Sequence, residues 1–141
     1  MRLKRTLSLG VAIAVAASAA SCGGPSDQEQ IKSLVNEYVA AFAAKDGAAV
    51  CSLLTPQAQR RVQLAAGLLR GRNCAATLTL IARMPTGDAS RAIRKFHAGK
   101  IVVDKNEAGV MIEPSGPGTK PTRLLKVNGK WLFDGSVATA Q

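Results

Sequence analysis

Histidine and cysteine are scarce in this sequence. Among 141 residues there is one histidine, His97, and there are three cysteines, Cys22, Cys51 and Cys74. A structural or catalytic zinc site draws three or four ligands from such residues, so this set does not favour a metal centre. A nucleophilic cysteine would need a histidine base, and only His97 is available. We therefore predict no metal site and no other cofactor.

Acidic residues are also few, with nine Asp and Glu against nineteen Lys and Arg. No two carboxylates are spaced to share one face of a well-defined element, as a pair of acid–base catalysts requires. The sequence has no glycine-rich loop of the kind that holds a phosphate. It also shows no internal repeat. These absences argue against the common catalytic arrangements.

No apolar run is long enough to span a bilayer. The uncharged stretch Leu7–Ala20 is shorter than the roughly 20 residues that a spanning helix needs. It follows a basic start (Arg2, Lys4 and Arg5) and ends in small residues, which is typical of a secretory signal peptide. The sequence Ala19-Ala20-Ser21-Cys22 resembles the lipobox of bacterial lipoproteins, in which the cysteine sulfur is acylated and the signal is removed.

We therefore predict a signal peptide over residues 1–21, lipidation at Cys22, a tether over residues 22–27 and one domain over residues 28–141. Several acyl chains would hold the protein on the membrane, where one chain alone is marginal. The expected location is the cell envelope, on the extracytoplasmic face of the plasma membrane. The alternative is an ordinary secreted protein, cut near Ala20, with Cys22 as a spare thiol.

The remaining cysteines then form an even pair. Acylation of Cys22 leaves Cys51 and Cys74, which can form a disulfide outside the cytoplasm. Closing the loop between them would stabilise the fold by about 3 kcal/mol.

The positive charge is concentrated between Arg60 and Lys100, where Asp88 is the only acid. Such a surface favours anionic neighbours such as lipid headgroups or wall polymers. It can equally be a solvated surface that keeps the protein soluble. Nucleic acid is not expected as a partner of an exported protein. The residues predicted to contact an anionic surface are Arg60, Arg61, Arg70, Arg72, Arg91, Arg94 and Lys95.

The first half of the chain is typical of helices. Ser26 and Glu29 have the spacing of a capping box, and apolar residues then recur every three or four positions up to Phe42. We expect Asp46-Gly47 to end this helix, with glycine in a left-handed conformation. A second short helix carries Cys51, a third begins at Thr55-Pro56, and a fourth is capped by Asn73 and ends before Pro85. The segment Ser90–Phe96 is ambiguous between a helical turn and a strand.

From Lys100 onward the pattern changes to strands. Lys100–Asp104 and Val110–Glu113 are rich in β-branched residues, joined by a polar link that ends in Gly109. Asn128-Gly129 then predicts a two-residue hairpin turn between two further strands. Helices followed by a meander of strands indicate an α+β fold with an antiparallel sheet.

Five segments of the domain carry a resemblance to a known family: Ile31–Phe42, Lys45–Gly47, Val50–Pro56, Cys74–Leu78 and Val127–Trp131. Through them the domain resembles small actinobacterial envelope lipoproteins of the nuclear transport factor 2-like, or cystatin-like, superfamily. This resemblance implies helices packed in the concave face of a curved sheet, which form a cone with an apolar cavity, and it allows a homodimer. The superfamily includes isomerases, dehydratases and cyclases, so the fold leaves the activity open.

Three functions are compatible with the sequence. The first is a non-catalytic envelope protein that binds a small apolar or amphiphilic ligand, or a protein partner, with Tyr38, Phe42 and Trp131 lining the pocket. The second is a small isomerase- or cyclase-like enzyme that uses Tyr38 with Asp104 or His97. The third is a module that binds anionic polymer or lipid through the basic surface. Tyr38 and Trp131 can also be ordinary core residues.

Overall fold

Five helices precede four strands in the computed structural model, which describes residues 23–69, 73–84 and 89–137. This order confirms the predicted α+β class, with an antiparallel sheet of strand order β1-β2-β3-β4. The elements are α1 Asp27–Ala43, α2 Gly47–Ser52, α3 Pro56–Leu69, α4 Cys74–Arg83, α5 Ala89–Ile93, β1 His97–Asp104, β2 Glu107–Glu113, β3 Thr122–Val127 and β4 Lys130–Val137.

Helix α1 begins with the predicted capping box. The Ser26 hydroxyl accepts a hydrogen bond from the Glu29 backbone N–H, and the Glu29 carboxylate accepts one from the Ser26 N–H at 2.8 Å. Hydrogen bonds from the Ser26 backbone and hydroxyl lower the pKa of Glu29. The helix starts at Asp27, so only Gly23–Ser26 of the expected tether precedes it within the described residues.

Asp27 fastens the start of α1 to the sheet. Its Oδ1 accepts hydrogen bonds from Lys126 Nζ at 2.6 Å and from Trp131 Nε1 at 2.9 Å. These bonds, that from Lys126 above all, lower the pKa of the Asp27 carboxyl. Lys126 Nζ also lies 5.5 Å from the centre of the Trp131 ring, a cation–π distance. The first turn of α1 is thereby tied to the β3–β4 hairpin.

The predicted end of α1 is wrong in its detail. The left-handed residue is Lys45, with φ of 60°, and Asp46 caps α2 by accepting a hydrogen bond from the Ala49 N–H at 2.9 Å. Gly47 is the first residue of α2. It is needed because a Cβ there would overlap the Ala75 carbonyl and Thr79 of α4. The glycine permits close helix packing and adopts no left-handed turn.

Helices α2 and α4 are also joined covalently. The disulfide Cys51–Cys74 is present, with the two Cα atoms 6.0 Å apart, which confirms the predicted pair. Asn73 caps α4 as expected, accepting a hydrogen bond from the Ala76 N–H at 2.8 Å. Thr55 likewise accepts one from the Ala58 N–H at the start of α3.

The strands differ from their expected bounds in the first hairpin. The ambiguous segment before the sheet forms α5, and β1 starts at His97 because His97 pairs with Glu113 of β2. His97 is therefore a strand residue. The β1–β2 turn is Lys105–Asn106, so Gly109 lies inside β2. The predicted β3–β4 turn is confirmed, with Asn128 and Gly129 both at positive φ.

The core lies between the helices and one face of the sheet. Residues of α1, α2 and α4 meet alternate residues of β2, β3 and β4, as a half-buried antiparallel sheet requires. The segment Leu53–Thr55 extends the sheet beyond β4 through backbone hydrogen bonds to Phe133. The most buried core side chains are Ile31, Val35, Val50, Val110 and Leu124.

Candidate functional site

An apolar cavity of about 290 Å³ lies between α1, α5 and the sheet. Among the described residues that line it, all side chains are aliphatic or aromatic, and the only polar side-chain atom is the Tyr38 hydroxyl oxygen. Its volume is at the lower end of the roughly 300–1,000 Å³ found for small-molecule pockets. The lining residues are Val35, Tyr38, Val39, Phe42, Ile93, Phe96, Ile112 and Phe133.

Helix α1 supplies half of this lining. Val35, Tyr38, Val39 and Phe42 are spaced at three and four positions, so they occupy one face of the helix. The Tyr38 ring lies 4.9 Å from the Phe133 ring and 6.2 Å from the Phe42 ring, measured between centroids. These are distances of favourable aromatic contact. The aromatic cluster therefore forms a preformed wall.

The Tyr38 hydroxyl is available to an occupant of the cavity. It forms no hydrogen bond with the described part of the chain. Burial of the ring raises the pKa of Tyr38 above 10.0. The hydroxyl is thus neutral at physiological pH and can donate or accept a hydrogen bond.

The cavity adjoins a second, shallower one of about 400 Å³ on the protein surface. Val39 and Phe96 line both cavities, so they form the boundary between them. The other residues of the second cavity come from the exposed side of α1 and from the segment after α5: Asn36, Ala40, Ala43, Ala44 and Arg94. Arg94 therefore lines the surface cavity that shares Val39 and Phe96 with the apolar one.

Two of the three predicted lining residues meet in the apolar cavity. Tyr38 and Phe42 both line it, but Trp131 does not. The indole of Trp131 is buried beside Asp27 and borders a larger groove of about 760 Å³. That groove is more open to solvent and contains Glu29, Glu37 and Lys130, so it is less suited to an apolar ligand.

The residue pairs expected for an enzyme are not brought together. Neither Asp104 nor His97 lines the cavity that contains Tyr38. Asp104 is the exposed last residue of β1, and His97 is exposed with its Nδ1 3.1 Å from the Lys95 carbonyl oxygen. Within the described residues, no group of three His, Cys, Asp or Glu side chains could hold a metal ion.

The predicted basic residues fall into two groups in the described structure. Arg60 and Arg61 are on α3, and Arg61 Nη2 lies 3.6 Å from Asp134 Oδ1. Arg91, Arg94 and Lys95 are in or just after α5, which packs on α1. Arg70, Arg72 and the proposed lipidation site Cys22 lie outside the described residues.

Sequence reasoning missed a buried carboxylate. Asp134 lies within β4 and is 1% exposed. It accepts a hydrogen bond from the Thr55 hydroxyl at 3.1 Å and is 3.4 Å from Arg123 Nη1. Arg123 also forms two 2.9 Å bonds to Glu107, which raise its pKa. This network joins α3 to the sheet and does not reach the apolar cavity.

Comparison of the chain with protein-family models, with curated proteins and with solved structures gave no match. The resemblance to nuclear transport factor 2-like lipoproteins therefore stays a prediction from the sequence. Over residues 23–69, 73–84 and 89–137, no helix has both the length and the apolar character needed to cross a membrane.

Proposed function

We propose that this protein is a lipid-anchored, extracytoplasmic binding protein whose apolar cavity takes a small apolar or amphiphilic ligand. The observation that carries this proposal is the cavity between α1, α5 and the sheet, whose lining includes the Tyr38 hydroxyl, which has no hydrogen bond to a described residue. Small-molecule sites are mostly apolar and contain a few polar groups that orient the ligand. The cystatin-like cone implied by the resemblance would place a cavity at this position.

The arrangement supports binding more than catalysis. A reaction needs a proton donor or acceptor within reach of the bound molecule, and the cavity lining offers Tyr38 alone. Because burial raises the pKa of this hydroxyl, it is a poor general base at neutral pH. It is well suited to a hydrogen bond with a ligand oxygen.

The envelope location rests on the N-terminal sequence. A basic start, an apolar stretch and small residues before Cys22 predict export and acylation. The disulfide between Cys51 and Cys74 is compatible with an oxidising compartment. Labelling of the bacterial lipid pool with an alkyne fatty acid should mark the wild-type protein. It should leave Cys22→Ser unmarked, and equal labelling of both would contradict the anchor.

The binding function is tested with the full-length chain carrying Cys22→Ser, with the Cys51–Cys74 disulfide formed. This substitution removes the acyl chains, which would compete with an added apolar probe. Thermal unfolding with increasing decanol should show a rising Tm, because a ligand that binds only the folded state stabilises it. The variant Val39→Phe, which adds a ring at the cavity wall, should abolish the rise.

The matched control is Val102→Phe, which makes the same exchange on an exposed strand residue. It should keep the wild-type response to decanol. A Tm that does not respond in the wild-type sequence, or a response that survives Val39→Phe, would contradict the proposed site.

A further inference from the structure

The residues shared by the two cavities indicate how a bound ligand would be oriented. Val39 and Phe96 border both the apolar cavity and the shallow cavity that contains Arg94. Because the two cavities share these two residues, a chain that leaves the apolar cavity on this side would enter the surface cavity that Arg94 also lines. One end of a ligand of this length would therefore lie in the surface cavity beside Arg94, while its chain lies in the apolar cavity.

Arg94 is chemically available at that point. Its guanidinium forms no hydrogen bond or ion pair with any described residue. The sequence from Ala89 to Val103 contains Arg91, Arg94, Lys95 and Lys100 and no acidic residue, so the surroundings contributed by its own segment are positive. On the facing helix α1, the polar residue that borders this cavity is Asn36, which is neutral. The field at this end of the cavity therefore favours an anion.

We propose that the ligand is a single-chain carboxylate amphiphile, with its alkyl chain in the apolar cavity and its carboxylate on Arg94. This inference rests on the proposed function and specifies the class of ligand. A guanidinium group presents paired N–H donors that match the two oxygens of a carboxylate. The Asn36 amide, at the same cavity, offers a further donor.

The alternatives are distinguishable by headgroup charge. A neutral alcohol of equal chain length gains the same apolar contacts but no ion pair, and a quaternary ammonium would meet the positive charges of Arg94 and Lys95. Because Arg94 is exposed, its contribution is that of a solvent-screened ion pair, about a fivefold change in affinity.

The test measures binding of decanoate, decanol and decyltrimethylammonium to the full-length Cys22→Ser chain by isothermal titration calorimetry, below the micelle concentration of each probe. Decanoate should bind about fivefold more tightly than decanol, and decyltrimethylammonium should bind most weakly. In Arg94→Gln, decanoate and decanol should bind equally, whereas Arg60→Gln, an exposed arginine on α3, should retain the preference. Salt at 0.5 M should reduce the preference in the wild-type sequence.

The outcomes separate this inference from the proposed function. If no probe binds, the proposed binding function itself is wrong. If decanol and decanoate bind equally to the wild-type sequence, the cavity binds apolar chains but the carboxylate assignment is wrong. A preference for decanoate that survives Arg94→Gln, or that is lost equally in Arg60→Gln, would overturn the role of Arg94. Loss of the preference in Arg94→Gln alone would support it.

Discussion

The α2–α4 contact and the α1–α5 side of the domain are packed in opposite ways. At the α2–α4 contact, Gly47 lies so close to Ala75 and Thr79 that a single methyl group cannot be added, and the disulfide Cys51–Cys74 joins the same helices. On the α1–α5 side, about 290 Å³ stands open between aromatic and aliphatic side chains. Protein interiors normally contain few voids larger than a water molecule.

This difference indicates how a small domain can be stable and still hold a cavity. The α1–α5 side, which contains the cavity, lacks contacts that a filled core would provide. The α2–α4 contact adds a disulfide and close helix packing, and neither depends on the α1–α5 side. Changes in the two regions should therefore have effects of opposite sign.

The largest effect is expected from the disulfide. Replacement of Cys51 and Cys74 together by serine should lower the free energy of unfolding by about 3 kcal/mol, because the unfolded chain regains conformational freedom. Urea unfolding of the oxidised wild-type chain and of the double variant measures this difference. A reducing agent should destabilise the first and leave the second unchanged. Equal stability of the two oxidised proteins would contradict the expectation.

Gly47→Ala should destabilise the domain by about 2 kcal/mol, on the scale of overpacking a close contact. The new methyl group would push α2 from α4 and disturb the hydrogen bond from the Gly47 N–H to the Thr79 hydroxyl, now 3.2 Å long. The control is Gly24→Ala, where no atom lies within 4 Å of the added group. The same urea midpoint for both variants would show that the α2–α4 contact is not tight.

A larger side chain in the cavity on the α1–α5 side should stabilise the domain, whereas one at the α2–α4 contact destabilises it. Val39→Phe is expected to raise the free energy of unfolding by about 0.5 kcal/mol, the lower end of what cavity filling provides. Val102→Phe, on the exposed side of β1, should give no gain. If Val39→Phe destabilises the chain as much as Gly47→Ala does, the α1–α5 side is already filled.

The smallest effect concerns pH. The pKa of Asp27 is lowered by its hydrogen bonds to Lys126 and Trp131, so the ionised carboxylate stabilises the folded state. This stabilisation is fully present above the ordinary pKa of 3.8 and is lost as pH falls through the lower folded value. Asp27→Asn should therefore be less stable than the wild type at pH 6. The difference in stability between the two proteins should become smaller below pH 3.5.

Thermal unfolding across this pH range measures the gap. The control is Asp104→Asn, since Asp104 is exposed and its side chain has no hydrogen bond to the described residues. A constant gap between Asp27→Asn and wild type at every pH would show that ionisation of Asp27 is not involved.

Features set by neighbouring residues could be predicted from the sequence. The capping box at Ser26 and Glu29 and the turn at Asn128-Gly129 depend on residues at most three positions apart. The repeat of apolar residues every three or four positions on α1 also predicts that Tyr38 and Phe42 lie on the same face. The Cys51–Cys74 pair followed from the cysteine count once Cys22 was assigned to acylation.

Features that depend on contacts between residues far apart in the sequence could not be predicted from it. The need for glycine at position 47 comes from α4, because a Cβ at this position would overlap the Ala75 carbonyl and Thr79. Asp134 has the local sequence of a strand end, but Thr55, 79 residues away, and Arg123 bury and neutralise it. Trp131 has the same alternation as Phe133, yet its indole N–H binds Asp27 and turns it from the cavity. Ile112 and Phe96 complete the cavity with no local pattern to indicate it.

The most direct test of the account is where an apolar probe binds. In a methyl NMR titration of the full-length Cys22→Ser chain with decanol, the methyl groups of Val35, Val39, Ile93 and Ile112 should shift together and reach saturation. The exposed methyl groups of Leu64 and Val102 should not move. Saturable shifts at Leu64, or none in the cavity, would contradict the claim that the space between α1 and α5 is a ligand site.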